Sequence, residues 1–164
     1  MPKIDFLIFI SFLVFVRLSE LVVAKRNEAW IRKQGAVEYG KEHYPFMIAL
    51  HTLFIVSIII EYLLRITEID YIFLALFLIL ISLKIIVIST LGKYWNTKIL
   101  RIPNLNLVSR GIYRYIKHPN YVIVVLEIIC IPMIFHLYYT ALIFSLLNAA
   151  MLYVRISVEN KALN

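Results

Sequence analysis

Cysteine occurs once in this chain, at Cys130 inside an apolar run, so neither a disulfide framework nor a cysteine-based metal cluster can form. The four histidines are scattered over separate segments without ligand spacing, and no metal is expected. Glycine and proline are scarce as well, four and five among 164 residues, which leaves no room for low-complexity linkers. No internal repeat is visible, and no glycine-rich phosphate-binding turn, which excludes a repeat array and a soluble-type nucleotide fold. Charge is the third shortage. Only 16% of residues are charged against 62% hydrophobic, and the mean hydropathy of +0.85 lies far outside the range of soluble domains. The chain therefore reads as an integral membrane protein, with residues 1–164 forming a single membrane domain. Its net charge of +7 resides in loops between apolar segments and fits anionic lipid better than nucleic acid, which is not expected as a partner.

Residues 4–23 are apolar for long enough to cross a hydrocarbon core about 30 Å thick. They lack a small-residue cleavage site and exceed the apolar core of a signal peptide, so a helix is expected here in the mature protein. A polar loop is predicted over 24–44, a second span over 45–64, opened by Pro45, and a third over 69–88 after a very short connection. A long basic loop, 89–118, follows. From Pro119 to Val154 only Glu127 is charged, and one helix of that length would reach about 54 Å. Pro132 and His136 instead divide it into two rather short helices joined by a tight turn at 135–139. The expected fold is thus all-α, a membrane bundle of about five transmembrane helices whose last two form a tight hairpin. Eleven of the 17 Lys and Arg fall in the first and third loops, which puts those loops in the cytoplasm, the N-terminus outside and the C-terminus inside.

That orientation gives each intramembrane polar residue a depth. Arg17 and Glu20 lie at the cytoplasmic end of the first helix, Lys84 near the inner end of the third, and Arg155 and Glu159 at the end of the fifth. His51 lies about 9 Å past Pro45, and Glu127 about 12 Å past Pro119. Taken singly they have structural explanations: Arg17 and Lys84 reaching to the headgroups, Arg17–Glu20 and Arg155–Glu159 as helical ion pairs, His51 as an interhelical hydrogen bond. Together they point to a polar pocket opening to the cytoplasm, because ionisable groups in a bilayer face a cavity or one another. Arg17, Glu20, His51, Glu127 and Arg155 are accordingly expected to meet a lipophilic substrate from the bilayer. Glu61 and Asp70 remain near the outer interface.

The run 107–121 is the one long polar stretch that passes straight into an apolar helix. Pro119 suits the first helical position, so Lys117 and His118 present polar groups at a helix N-terminus, an end that attracts carboxylates and other anions. A basic loop in that place can equally be a topology anchor.

The order Leu107-Val108-x-x-Gly111-x-Tyr113-Arg114-x3-His118-Pro119-x-Tyr121, then a helical hairpin, then Arg155-x3-Glu159-x3-Leu163, resembles the isoprenylcysteine carboxyl methyltransferase family of membrane methyltransferases. The likeness covers residues 91–163 and makes 89–164 the methyltransferase core, with 1–88 supplying three N-terminal spans. Arg17-Leu18-Ser19-Glu20, Lys25-Arg26-Asn27-Glu28, His43-Tyr44-Pro45-Phe46 and His51 resemble a bacterial branch associated with type III polyketide synthases, whose members O-methylate alkylpyrones. In two places the chain departs from the family pattern: Lys117 stands for the usual Arg before His-Pro, and Asn160 for the second Glu of a Glu-Glu pair. The chain also stops at Asn164, where eukaryotic members continue into a cytosolic tail.

The resemblance implies S-adenosylmethionine as cofactor, held by Leu105, Asn106, Leu107, Val108, Tyr113, His118, Pro119, Asn120, Tyr121 and Glu159, with Lys98 as an earlier contact. It puts Arg155 at a catalytic position that orients the acceptor. The implied reaction is methyl transfer to an acidic oxygen of a lipophilic acceptor. An alkylpyrone or related polyketide lipid is the first expectation, with a type III polyketide synthase upstream, and the carboxylate of an isoprenylated cysteine is the second. A non-enzymatic membrane scaffold with a degenerate site is the reading from another class.

Overall fold

The computed structural model describes residues 3–103, 105 and 110–162. Five helices account for most of it: α1 (Ile4–Lys33), α2 (Tyr44–Arg65), α3 (Tyr71–Leu91), α4 (Pro119–Met133) and α5 (Tyr138–Lys161). Four of them are long and apolar enough to cross a membrane, and α4, at 15 residues, is shorter. The all-α membrane bundle expected from hydropathy is what forms, with α4 and α5 as its hairpin.

Each helix turns one stripe inward and leaves the rest to lipid. On α3 the buried positions are Phe77, Leu80, Lys84 and Val87, the three- and four-residue spacing of a single helical face. On α1 the stripe runs Phe6, Phe9, Leu13, then Arg17 and Glu20, then Ala24, and ends at Ile31. Large exposed apolar side chains such as Ile8, Phe15, Ile79 and Leu146 face outward because the surrounding solvent is hydrocarbon.

At one end of the bundle, the turn end, short connections lock together. Phe6 stacks on Tyr62 with centroids 3.6 Å apart, and Phe135 meets both rings edge-on. The backbone N–H of Asp70 donates to Ile134 at 2.7 Å, Thr67 donates to the carbonyl of Phe135, and Lys3 pairs with Glu68. Asp70 caps α3, accepting from the N–H groups of Ile72 and Phe73 at 2.9 and 3.3 Å. Glu61 of α2 caps α5 from outside, accepting from Tyr139 and Thr140 at 3.2 and 2.7 Å. Glu61 and Asp70 are therefore helix caps.

Three expectations are corrected. Residues 24–33, read as loop, continue α1 to Lys33, because they contain no Gly or Pro and are joined by Arg32 donating to Glu28 at 2.7 and 2.9 Å. Their polarity marks where the helix leaves the apolar core and leaves the backbone helical. The helix ends at Gln34 and Gly35, the latter at φ +81°. Second, α5 is not short: it has 24 residues and continues past Val154 to Lys161. Third, the two long loops are tied together by a ribbon of two antiparallel strands, β1 (Val37–Tyr39) and β2 (Ile99–Arg101), pairing Val37 with Arg101 and Tyr39 with Ile99. Strands of three residues carry too little alternation to be visible in the sequence.

Candidate active site

At the loop end, opposite the turn end, a polar cavity of about 460 Å3 opens between β2, the segment before α4 and the last turns of α5. That volume lies in the range of about 300–1,000 Å3 common to small-molecule sites. Of the residues singled out from sequence, Lys98, Leu105, Tyr113, His118, Pro119, Asn120, Tyr121, Arg155 and Glu159 line it. Asn106, Leu107 and Val108 lie outside the described residues.

Local chain rules position these groups. Pro119 opens α4, and the N–H of Tyr121 donates back to His118, which sets the two rings on one side, stacked 5.1 Å apart. Arg155 and Glu159 stand one turn apart on α5. Glu159 accepts from the Tyr121 hydroxyl at 2.7 Å, with His118 Nδ1 and an Arg101 nitrogen each 3.6 Å from its carboxylate. Burial, then the charge of Glu159, pushes the Tyr113 hydroxyl up to about 12, so it stays a neutral phenol. His118 is held below the usual imidazole range, first by burial and also by Lys117 and Arg101, although Glu159 pulls the other way. Its buried Nε2 has no hydrogen-bond partner among the described residues.

A second, apolar cavity of about 340 Å3 lies deeper in the bundle. Leu13, Phe54, Ile55, Val124 and Met151 give it oily walls, and Leu18 of α1 and Ile48 of α2 both line it and are exposed on the outer surface. The cavity thus reaches the hydrocarbon between α1 and α2. Trp95, Asn96, Asn120, Tyr121 and Arg155 belong to both cavities and form the wall between them.

Arg155 dominates that wall. Only 6% exposed, it donates to the Tyr121 hydroxyl at 2.8 Å, to the carbonyl of Thr97 at 2.6 Å and to the sulfur of Met47. Arg155 and Glu159 do not form the direct ion pair their spacing suggested; the Tyr121 hydroxyl stands between them. Among the described residues, three of the five guanidinium N–H groups have partners, which leaves two for a ligand.

The other substrate candidates divide. Arg17, Glu20 and His51 line the apolar cavity, whereas Glu127, 1% exposed, lies in the wall of neither. Its carboxylate is taken up by Arg17 at 2.9 Å and by Lys84 at 2.7 Å, and both cations also meet Glu20, at 2.9 and 3.0 Å. These four side chains form a closed, charge-neutral network joining α1, α3 and α4. Lys84 does not reach for headgroups: it is 4% exposed and sits on the inward stripe of α3. Lys98 lines the polar cavity, yet its ammonium is engaged by Glu28 at 2.8 Å and lies over the Tyr44 ring.

Trp95, Asn96 and Thr97 escaped the sequence reading because they sit in a segment read as loop. The polar extension of α1 holds them: Asn27 donates to the carbonyls of Gly92 and Trp95 at 3.1 and 2.7 Å, and Asn96 donates to Ala24 at 3.0 Å. Asn27 stands seven residues after Glu20, on the face that Arg17 and Glu20 occupy, which was the available signal.

Such an arrangement, a polar cavity and a lipid-facing apolar one divided by a charged wall, can bring a polar and an oily reactant together in a membrane protein. Residues 73–164 match the isoprenylcysteine carboxyl methyltransferase (ICMT) family, and the chain belongs to it. It is thereby a membrane methyltransferase by family, and enzymes of this family use S-adenosylmethionine. The chain is 43% identical over 161 residues to a Bacillus subtilis (strain 168) protein named "Uncharacterized protein YpbQ", covering 96% of each. A Haemophilus influenzae protein named "Uncharacterized protein" is 28% identical over 153 residues, covering 91% of this chain and 89% of that one. No solved structure matches.

The residues present fit the family's cofactor. A carboxylate suited to an ammonium, Glu159, shares the cavity with Asn120 Oδ1 and His118 Nε2, buried polar atoms without hydrogen-bond partners among the described residues.

Proposed function

We propose that this protein transfers a methyl group from S-adenosylmethionine to an acidic oxygen of a lipophilic acceptor, an alkylpyrone or related polyketide lipid. The reading is carried by one observation: the polar and apolar cavities share a wall that contains Arg155. The cofactor would be held by Glu159, His118, Asn120, Tyr121, Tyr113, Lys98 and the segment 105–108. When bound, it supplies an electrophilic methyl on a sulfonium. Glu159 offers its carboxylate to the ammonium or ribose hydroxyls, and the Tyr121 hydroxyl fixes that carboxylate in place.

Arg155 receives the acceptor's anionic oxygen through its two remaining N–H groups and, tied to Tyr121 and Thr97, cannot swing away. Charge disappears as the methyl moves from a cation to an anion, so alignment and exclusion of water matter more than proton transfer. The burial of Arg155 and Trp95 provides that exclusion. The acceptor's alkyl tail occupies the apolar cavity and leaves between α1 and α2. Residues 1–88 act as scaffold and 89–164 as the methyltransferase core of one unit. The excess of Lys and Arg at the loop end supports a cytosolic position for that end, and in a bacterial cytoplasmic membrane a type III polyketide synthase would deliver the acceptor there.

The test is incubation of the purified protein in bilayers with methyl-labelled cofactor and, separately, a long-chain alkylpyrone and a prenylcysteine. Label in the pyrone is expected. Label in the prenylcysteine alone would transfer the acceptor reading to the carboxylate, and absence of both transfer and cofactor binding would leave a scaffold.

A further inference from the structure

Trp95 is 4% exposed, and its indole N–H has no hydrogen-bond partner among the described residues, although it sits in the wall common to both cavities. A buried donor in that position is explained by a ligand that accepts from it. In the same wall, Asn96 donates one N–H to Ala24 and accepts from Lys98, and the Tyr121 hydroxyl donates to Glu159. Among the described residues, the donors left over in the wall are the Trp95 N–H, two N–H groups of Arg155, the second N–H of Asn96 and the side-chain amide of Asn120, and the Trp95 nitrogen is the buried one with no partner at all.

The cofactor's sulfonium and ammonium accept no hydrogen bond, and its accepting groups, the carboxylate, ribose and adenine, fit the polar cavity beside Glu159 and His118; the donors of the shared wall, which also face the apolar cavity, match the oxygens of the methyl acceptor. One oxygen needs no more than Arg155. A separate donor is useful when a second oxygen, conjugated to the first, shares its charge.

Resting on the reading above, we infer that the Trp95 N–H holds the non-reacting oxygen of the acceptor. The site then selects acids whose charge is spread over two oxygens, a carboxylate or the enol of a 1,3-dicarbonyl, over isolated phenols. Arg155 orients the oxygen that takes the methyl, and Trp95 fixes which of the two that is. The polar end of α1 fixes the Trp95 backbone, since Asn27 donates to its carbonyl, and the extension of that helix beyond its apolar span thereby sets where the indole starts.

Trp95→Phe keeps the aromatic bulk and removes the N–H. It is compared with the wild-type chain in bilayers, using a long-chain 4-hydroxy-2-pyrone and a simple phenol with the same tail as acceptors. S-adenosylhomocysteine affinity is measured calorimetrically on both proteins. The expected result is a loss of about 10- to 100-fold in kcat/KM for the pyrone, the size of one hydrogen bond to a charged group, with phenol turnover and S-adenosylhomocysteine affinity unchanged. An equal loss on both acceptors, a loss of S-adenosylhomocysteine affinity, or no loss overturns the inference. A second measurement is independent of turnover. Trp95 and Trp30 are the two tryptophans, so Trp30→Phe leaves Trp95 as the one indole emitter. Its fluorescence should respond to the pyrone and not to the phenol, and an identical response to both also overturns the assignment. Failure of the wild-type chain to bind S-adenosylhomocysteine would instead remove the methyltransferase reading, and the emission titration would still decide the role of Trp95.

Discussion

Arg155 and Glu159 are separated by one hydroxyl group, that of Tyr121, and the two should fail differently when replaced. Arg155→Ala removes the group proposed to face the acceptor. Labelled methyl transfer should fall at least about 1,000-fold, while S-adenosylhomocysteine binding changes by less than about threefold. Glu159→Ala should abolish both, and in each variant the protein should still insert in the membrane. His118 gives the site a dependence on pH. Its folded-state pKa lies below the ordinary value near 6.5, so the neutral ring is retained above that pH, and any stability it confers is lost as pH falls through the depressed value. A protonated ring 3.6 Å from Glu159 would compete for the carboxylate that the cofactor's ammonium needs. Cofactor affinity measured by calorimetry should be level above pH 6.5 and decline below it, and His118→Gln should flatten that decline. The order of Tyr113, His118, Tyr121, Arg155 and Glu159 along the chain let a resemblance group residues that do line one cavity. The meeting of Lys117 and Asn160 was not legible. The two positions that depart from the family pattern touch each other at 3.0 Å, one hydrogen bond where the pattern would put an ion pair.

Between elements, the closed network of Arg17, Glu20, Lys84 and Glu127 fastens α1 to α3 and α4. Its four members were visible as intramembrane charges, and their depths were readable from helix rise. Which of them face a cavity was not, since that depends on how α1 and α3 rotate about their own axes. Removing one carboxylate leaves two buried cations with a single partner, a situation that costs about 3–5 kcal/mol. Glu127→Leu should therefore lower the thermal unfolding temperature in detergent strongly, and adding Lys84→Met should recover most of the loss, because the pair can be replaced by apolar groups of similar size. The α1 extension and the β1–β2 ribbon escaped prediction for different reasons. Polarity was mistaken for irregular backbone in the first, and in the second the strands are specified by pairing across 60 residues, with nothing in either strand alone to announce it.

Across the whole molecule, the apolar cavity reaches the bilayer between α1 and α2, and Leu18 and Ile48 stand where it does so. Leu18→Trp should narrow that opening, lowering kcat/KM for long-tailed acceptors more than for short-tailed ones and leaving S-adenosylhomocysteine affinity as it was. The membrane class, the helix number and the hairpin were all legible in hydropathy, for a span must satisfy its own backbone and must be long enough to cross. The division of the interior into two chambers was not, because it arises from five side chains contributed by two helices and a connecting segment. That thin partition also dictates how the molecule could be blocked. An adenosine headpiece joined by a few atoms to a fatty chain would fill both chambers at once, anchored from water on one side and from oil on the other. Its affinity should far exceed that of either half, since the second half binds at the high effective concentration the linker imposes.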